Sequence, residues 1–119
     1  RRVLFRSQYQ FDWDTWTLPM DNLKKLKFGK FSDKQDVPAF HRGTFEVKEV
    51  ADTFLKFPGV KGIAFINGFN LGRYWNEGPG STMYIPAPLL KKGKNELVIF
   101  ELHKLNSQNA ELVGAPKLD

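Results

Sequence analysis

The stretch KGIAFINGFNLGRYW, residues 61–75, decides the fold. Its first half is apolar on both faces of an extended chain, with Ile63 and Phe65 on one side and Ala64 and Ile66 on the other. That pattern predicts a strand buried in the middle of a sheet. Asn67 and Gly68, with Asn70 close behind, tolerate the positive φ of a tight hairpin turn, so LGRYW is expected to fold back and pair with KGIAFI. Beyond the turn, simple alternation sends Leu71, Arg73 and Trp75 one way and Gly72 and Tyr74 the other. One face then offers an aromatic ring and a guanidinium, groups that stack on a sugar's C–H face and hydrogen-bond its hydroxyls. Core packing is the more ordinary use of the same aromatics.

Working outward, the chain continues as short strands divided by turn residues. On the N-terminal side, AFHRGTFEV (39–47) reads as a strand with a bulge at Gly43, and DTFLKF (52–57) alternates Phe54 and Lys56 against Leu55 and Phe57. On the C-terminal side, EGPG (77–80) starts the strand STMYIP, which Pro86 stops. APLLKKGKN (87–95) predicts one helical turn ended by Gly93, and Asn95 shapes the GKN turn. ELVIFELH (96–103) is again apolar on both faces, and Glu111 to Val113 can form a last weak strand. Further upstream, QYQFDWDTWTLPM (8–20) alternates loosely like a half-buried strand. DNLKKLKF (21–28) then suggests a helical turn capped by Asp21, and GKFSDKQDVP (29–38) has the composition of a solvated loop. About seven short strands with one or two helical turns predict an all-β protein, a sandwich or jelly roll. Neither a βαβ alternation nor a phosphate-binding glycine loop is present.

Composition narrows the function. A chain of 119 residues, 41% hydrophobic and 14% aromatic, suits one globular domain. No apolar run approaches the roughly 20 residues of a membrane span. Zero cysteines exclude disulfides, thiolate metal sites and cysteine nucleophiles. They fit a reducing compartment or a cysteine-poor bacterial lineage, so the expectation is a soluble protein, bacterial cytoplasmic or secreted. The two histidines, His41 and His103, are far apart, so no metal and no cofactor is expected. Of the carboxylates, nothing in the spacing of Glu46, Glu49, Glu77, Glu96, Glu101 and Glu111 brings two into one cleft. Glu101 interrupts an apolar strand and needs a partner; Arg73 is the candidate, giving a structural ion pair. The residues to test for sugar contact are Tyr74, Trp75, Trp13, Trp16 and Glu77, while Asn67, Gly68, Asn70, Gly72, Arg73, Glu101, Gly93 and Asn95 carry structural roles.

The formal charge of +5 raises a nucleic-acid reading, which depends on the first residues. RRVLFRS (1–7) back-translates without mismatch to AGA-CGT-GTG-CTC-TTC-CGA-TCT, the end of a widely used sequencing-library adapter. Residues 1–7 are therefore expected not to be protein-derived, the alternative being a natural basic arm. Without Arg1, Arg2 and Arg6 the charge drops from +5 to +2, and the nucleic-acid reading fades.

The quoted motifs also carry a resemblance. DTFLKFPGVKGIAFINGFNLGRYW (52–75), followed by GPGSTMYIPAPLLKKGKNELVIFELH (78–103), resembles the C-terminal β-domain of family 35 glycoside hydrolases, β-galactosidases with lysosomal and bacterial members. The likeness runs from about Tyr9 to His103, and FDWDTWTLPMDNL (11–23) is similar to the family's Trp-containing approach to this domain. It implies a galactose-binding-domain-like jelly-roll β-sandwich over residues 8–119, attached to a catalytic (β/α)₈ barrel and an adjoining β-domain of the same parent chain. Two departures stand out. Val60 follows Gly59 where the family usually has an aromatic, and the family's first strand, with a GR.NYG-like motif, is absent. The domain is thus expected to lack its first strand or strands, at the adapter junction, and to be marginally stable through unpaired edges. The family's catalytic glutamates lie on the barrel, so none is carried over and this chain is not expected to be an enzyme by itself. The resemblance implies a parent that removes terminal β-galactosides with retention, and for this chain a packing role; a carbohydrate-binding module with its own galactoside site is the alternative. No nucleic acid and no membrane is expected as a partner.

Overall fold

The computed structural model describes residues 11–32 and 36–118. Residues 1–7, with the adapter reading attached to them, lie outside that range, as do the first three residues of the stretch 8–20. Among the described residues seven strands form: β1 (Ala39–Val47), β2 (Thr53–Lys56), β3 (Lys61–Ile66), β4 (Phe69–Trp75), β5 (Thr82–Ile85), β6 (Gly93–Glu101) and β7 (Glu111–Val113). They make a four-stranded sheet in the order β1-β6-β3-β4 and a three-stranded sheet in the order β5-β2-β7, with antiparallel neighbours throughout. Two single 3₁₀ turns, Leu23–Lys25 and Ala87–Leu89, are the helical content of the described residues. The protein is an all-β sandwich, as the strand spacing predicts.

β3 and β6, the two segments apolar on both faces, occupy the centre of the larger sheet. The core lies between the sheets. Leu55 and Ile85 from the smaller sheet meet Ala64, Ile66, Tyr74, Leu97 and Ile99 from the larger one, and Leu90 closes one end. Each fully buried Leu or Ile contributes roughly 1.5–3 kcal/mol, so this layer is the main source of stability. Phe65 and Val98, each 2% exposed, stand outside that layer. They are direct neighbours across β3 and β6, on the side of the sheet turned away from the second sheet.

β3 and β4 are joined by the two-residue turn Asn67-Gly68, at φ 48° and 84°, the positive pair that a tight hairpin requires. Past the turn the simple alternation fails. Ala64 pairs with Gly72 but Phe65 with Asn70, so Leu71 is an extra residue, a β-bulge. Gly72 takes φ 110° there, and its N–H donates to Asn70 Oδ1 at 2.8 Å, bridging the bulge. The inserted residue reverses the local pattern: Leu71 packs against the core with Tyr74, while Arg73 and Trp75 face outward.

Four other sequence expectations are corrected. β1 pairs with β6 residue for residue from Ala39↔Glu101 to Val47↔Gly93, so there is no bulge at Gly43. Residues 11–20 form no strand: Asp12 and Met20 at φ 59° and 52° break the extended run, and its Trp and Phe side chains are exposed. The 3₁₀ turn after it has Asn22, not Asp21, at its N-terminal boundary, with no side-chain cap. The turn at Ala87–Leu89 ends before Gly93, because the chain is extended again at Leu90 and Gly93 already belongs to β6.

Candidate functional site

Glu101 ends the apolar run of β6 with a carboxylate that is 0% exposed. Arg73 is not its partner. Arg73 pairs with Ile63 across the strands and points to solvent, so the expected ion pair does not form. Four neutral donors converge on Glu101 instead. Tyr74 Oη–H donates to Oε2 at 2.6 Å and the Val60 N–H to Oε2 at 3.0 Å. The Lys61 N–H donates to Oε1 at 3.0 Å and the His103 N–H to Oε1 at 3.1 Å. A buried carboxylate is tolerable only when its lone pairs are taken up in this way.

Local sequence explains how the tyrosine reaches across. Gly62 sits between its two cross-strand neighbours, Tyr74 on β4 and Glu101 on β6. A β-carbon at Gly62 would lie 2.8 Å from the Tyr74 hydroxyl and would collide with the Phe100 carbonyl; one at Gly59 would collide with the Glu101 carboxylate. The two glycines leave the space in which the phenol and the carboxylate meet. Phe57 stacks on the Tyr74 ring with centroids 4.8 Å apart.

Burial first, and then the hydrogen bond to Glu101 and its negative charge, hold the Tyr74 phenol well above its ordinary value of 10.0. The unfolded chain ionises this phenol near that value and the folded chain does not. The resulting stability is fully present below about pH 10 and is lost as pH rises further. Tyr74→Phe should therefore flatten the alkaline limb of stability against pH, at a cost of about 1.5–3 kcal/mol at neutral pH. Urea unfolding at pH 7 to 11 measures both; an alkaline limb unchanged by the substitution would contradict this account.

A second polar tie sits at the other end of β3. Asn95 is 1% exposed. Its amide donates to the carbonyls of Lys91 at 2.7 Å and Gly93 at 3.0 Å, and its Oδ1 accepts from the Lys91 N–H at 2.9 Å and Asn67 Nδ2 at 2.8 Å. Asn67 also donates to the Leu89 carbonyl and accepts from the Glu96 N–H, both at 2.9 Å. The hairpin turn, the turn at Ala87–Leu89 and the start of β6 are thus fastened together.

The five side chains read as sugar contacts differ in exposure. Tyr74 is 3% exposed and its hydroxyl is committed to Glu101. Trp13 and Trp16, 74% and 80% exposed, stand on the segment before the first 3₁₀ turn. Trp75, 40% exposed, faces outward from β4 with the Lys61 ammonium 4.5 Å from its ring centroid, a cation–π contact. Glu77 is exposed in the turn after β4. Sequence reasoning missed the Phe54–Tyr84 pair, with centroids 5.6 Å apart, on strands β2 and β5. A hydrogen bond to Asp52 raises the pKa of Tyr84. DTFLKF reads as an alternating strand and STMYIP as a short strand, but nothing in the sequence specifies the pairing of β2 with β5. His41, on β1, has its pKa lowered by burial, which the charge of Glu101 partly opposes. Among the described residues, no group of three or more His, Asp or Glu is placed to hold a metal ion, and no helix is long and apolar enough to cross a membrane.

Comparison with known proteins places this arrangement. Residues 38–95 match the family model described as the galactose-binding domain of β-galactosidase. β-Galactosidase 1 of Dictyostelium discoideum is 38% identical over 108 residues, covering 83% of this chain and 16% of its own length. β-Galactosidase 17 of Arabidopsis thaliana is 40% identical over 121 residues, covering 84% of the chain and 17% of its own length. The β-galactosidase of Xanthomonas manihotis is 39% identical over 84 residues, 70% of the chain and 14% of its own length. The chain thus spans only a small part of these relatives. They come from a slime mould, a plant and a bacterium, so the expected bacterial origin has no support. With the match running from the residue before β1 to Asn95 on β6, residues 38–95 of the chain belong to the β-galactosidase galactose-binding-domain family.

Proposed function

We propose that the chain is a non-catalytic accessory domain of a family 35 retaining β-galactosidase, packed against the catalytic barrel and an adjoining β-domain of the same polypeptide. One observation carries this reading: the matched part makes up 16% and 17% of the length of two relatives named as β-galactosidases. Most of each relative lies elsewhere. Retaining hydrolysis of a terminal β-galactoside needs two carboxylates roughly 5 Å apart, both reaching the sugar. Glu101, the one buried carboxylate among the described residues, is enclosed by four protein donors. Its chemistry is that of a structural anchor.

The test starts from the coding DNA upstream of Gln8 and from the complete polypeptide it specifies. That polypeptide should hydrolyse a nitrophenyl β-galactoside, and residues 8–119 alone should not. Deleting residues 38–119 should lower its inactivation temperature by several degrees; unchanged activity and heat resistance after the deletion would overturn the proposal. The exposed Trp75 favours the second reading, a galactoside-binding module. Calorimetric binding of galactose by residues 8–119, abolished by Trp75→Ala, would establish that reading instead.

A further inference from the structure

We infer that the domain docks onto the rest of its polypeptide through the face of the four-stranded sheet turned away from the second sheet, and that the surface it meets is apolar with carboxylates at its rim. The inference rests on the accessory-domain reading and adds to it the face used and the chemistry of the partner surface.

The strand register identifies this face. Opposite the core-facing Glu101, Ile99 and Leu97 of β6 lie Phe100, Val98 and Glu96. One row across the sheet reads Phe40, Phe100, Ile63, Arg73, and the next reads Arg42, Val98, Phe65, Asn70. A sandwich sheet open to water on its outer side carries polar residues there. This one carries Phe40, Phe100, Ile63, Val98 and Phe65. Phe65 and Val98 are already buried, whereas Ile63 and Phe100 are half-exposed and line, with Lys61, Arg73 and Leu102, a shallow apolar concavity of about 120 Å³. Trp75 flanks it, and the Phe40 and Phe100 rings extend it at a centroid distance of 4.6 Å. The apolar strip is therefore continuous from its covered part to its open part.

Two features identify what covers it. The chain accounts for 16% and 17% of the relatives' lengths, so the polypeptide that would supply an occupant is several times larger than the domain itself. The charges around the open end are cationic: Lys61 and Arg73 stand beside the concavity, while the strand carboxylates of this face, Glu46 and Glu96, sit at the opposite end. Apolar centre and cationic rim call for an apolar surface edged by Asp or Glu.

Cysteine labelling of the complete polypeptide tests this, because the 119 residues contain no cysteine to confuse the mapping. Arg73→Cys probes the proposed face, Tyr84→Cys the outer face of the smaller sheet, and Lys92→Cys an exposed loop. All three are surface positions, where substitution leaves the fold intact. Under native conditions a maleimide, followed by peptide mapping, should modify Arg73→Cys at least about tenfold more slowly than Lys92→Cys, with Tyr84→Cys as fast as the loop, since docked interface cores exclude water. A fast Arg73→Cys with a slow Tyr84→Cys would overturn the chosen face and leave the accessory-domain reading standing. If all three are fast, the inference is overturned, and the deletion experiment decides the reading beneath it.

Discussion

Glu101→Ala is expected to abolish cooperative folding of residues 8–119 at room temperature. The substitution strands the Tyr74 hydroxyl and the N–H groups of Val60, Lys61 and His103, all of which now converge on one carboxylate. An unsatisfied buried donor costs about 1–3 kcal/mol. The Tyr74 hydroxyl is buried and the three N–H groups are part-buried, so together they cost up to about 12 kcal/mol, comparable with the roughly 5–15 kcal/mol that holds a small domain together. Glu101→Gln should be milder but still costly, because the amide replaces one acceptor oxygen with a donor that faces other donors. Urea unfolding followed by tryptophan fluorescence and near-UV circular dichroism reads both. A sigmoidal transition for Glu101→Ala within about 1 kcal/mol of the unsubstituted chain would refute the anchoring role.

The second large effect concerns space. Gly62→Ala would push a methyl group into the Phe100 carbonyl and to 2.8 Å from the Tyr74 hydroxyl. The first obstacle is backbone in the middle of a sheet and cannot swing aside, so β3 and β6 would have to separate where they pair. A loss of about 3 kcal/mol is expected, at the upper end of ordinary overpacking. Gly43→Ala is the matched control. It also lies within a strand of the larger sheet, but a β-carbon there meets nothing within 4 Å. It should be neutral or stabilise by up to about 1 kcal/mol, since alanine restricts the unfolded chain. Equal effects at the two positions would show that the close approach at Gly62 is unimportant.

How much of this could be read from the amino acids follows from what each pattern encodes. Apolarity on both faces of KGIAFI and LVIFEL signals centrality in a sheet, and those segments are the two inner strands. Asn67-Gly68 encodes its own turn through backbone preference. Glu101 was conspicuous as a charge in an apolar run, but its partner was not. Arg73 is the one charge in NLGRYW, whereas the structure uses the neighbouring Tyr74, because Leu71 is inserted into β4 and turns Arg73 to the outside. A bulge arises from the register between two strands, and no single segment records it. The same limit applies to residues 11–20, whose alternating aromatics mimic a strand although the positive φ of Asp12 and Met20 interrupts the extended run.

The bulge at Leu71 has a consequence for self-association. β4 and β1 are the two outer strands of the larger sheet, and each has a row of backbone groups on its free side. On β4 that row is bent by the inserted residue and by Gly72, so a straight strand from another molecule cannot zip along it. β1 runs nine residues without interruption and offers a regular template. Of the two rims of the sheet, one is blunted by its own geometry, and the other depends on its surroundings for protection against strand addition.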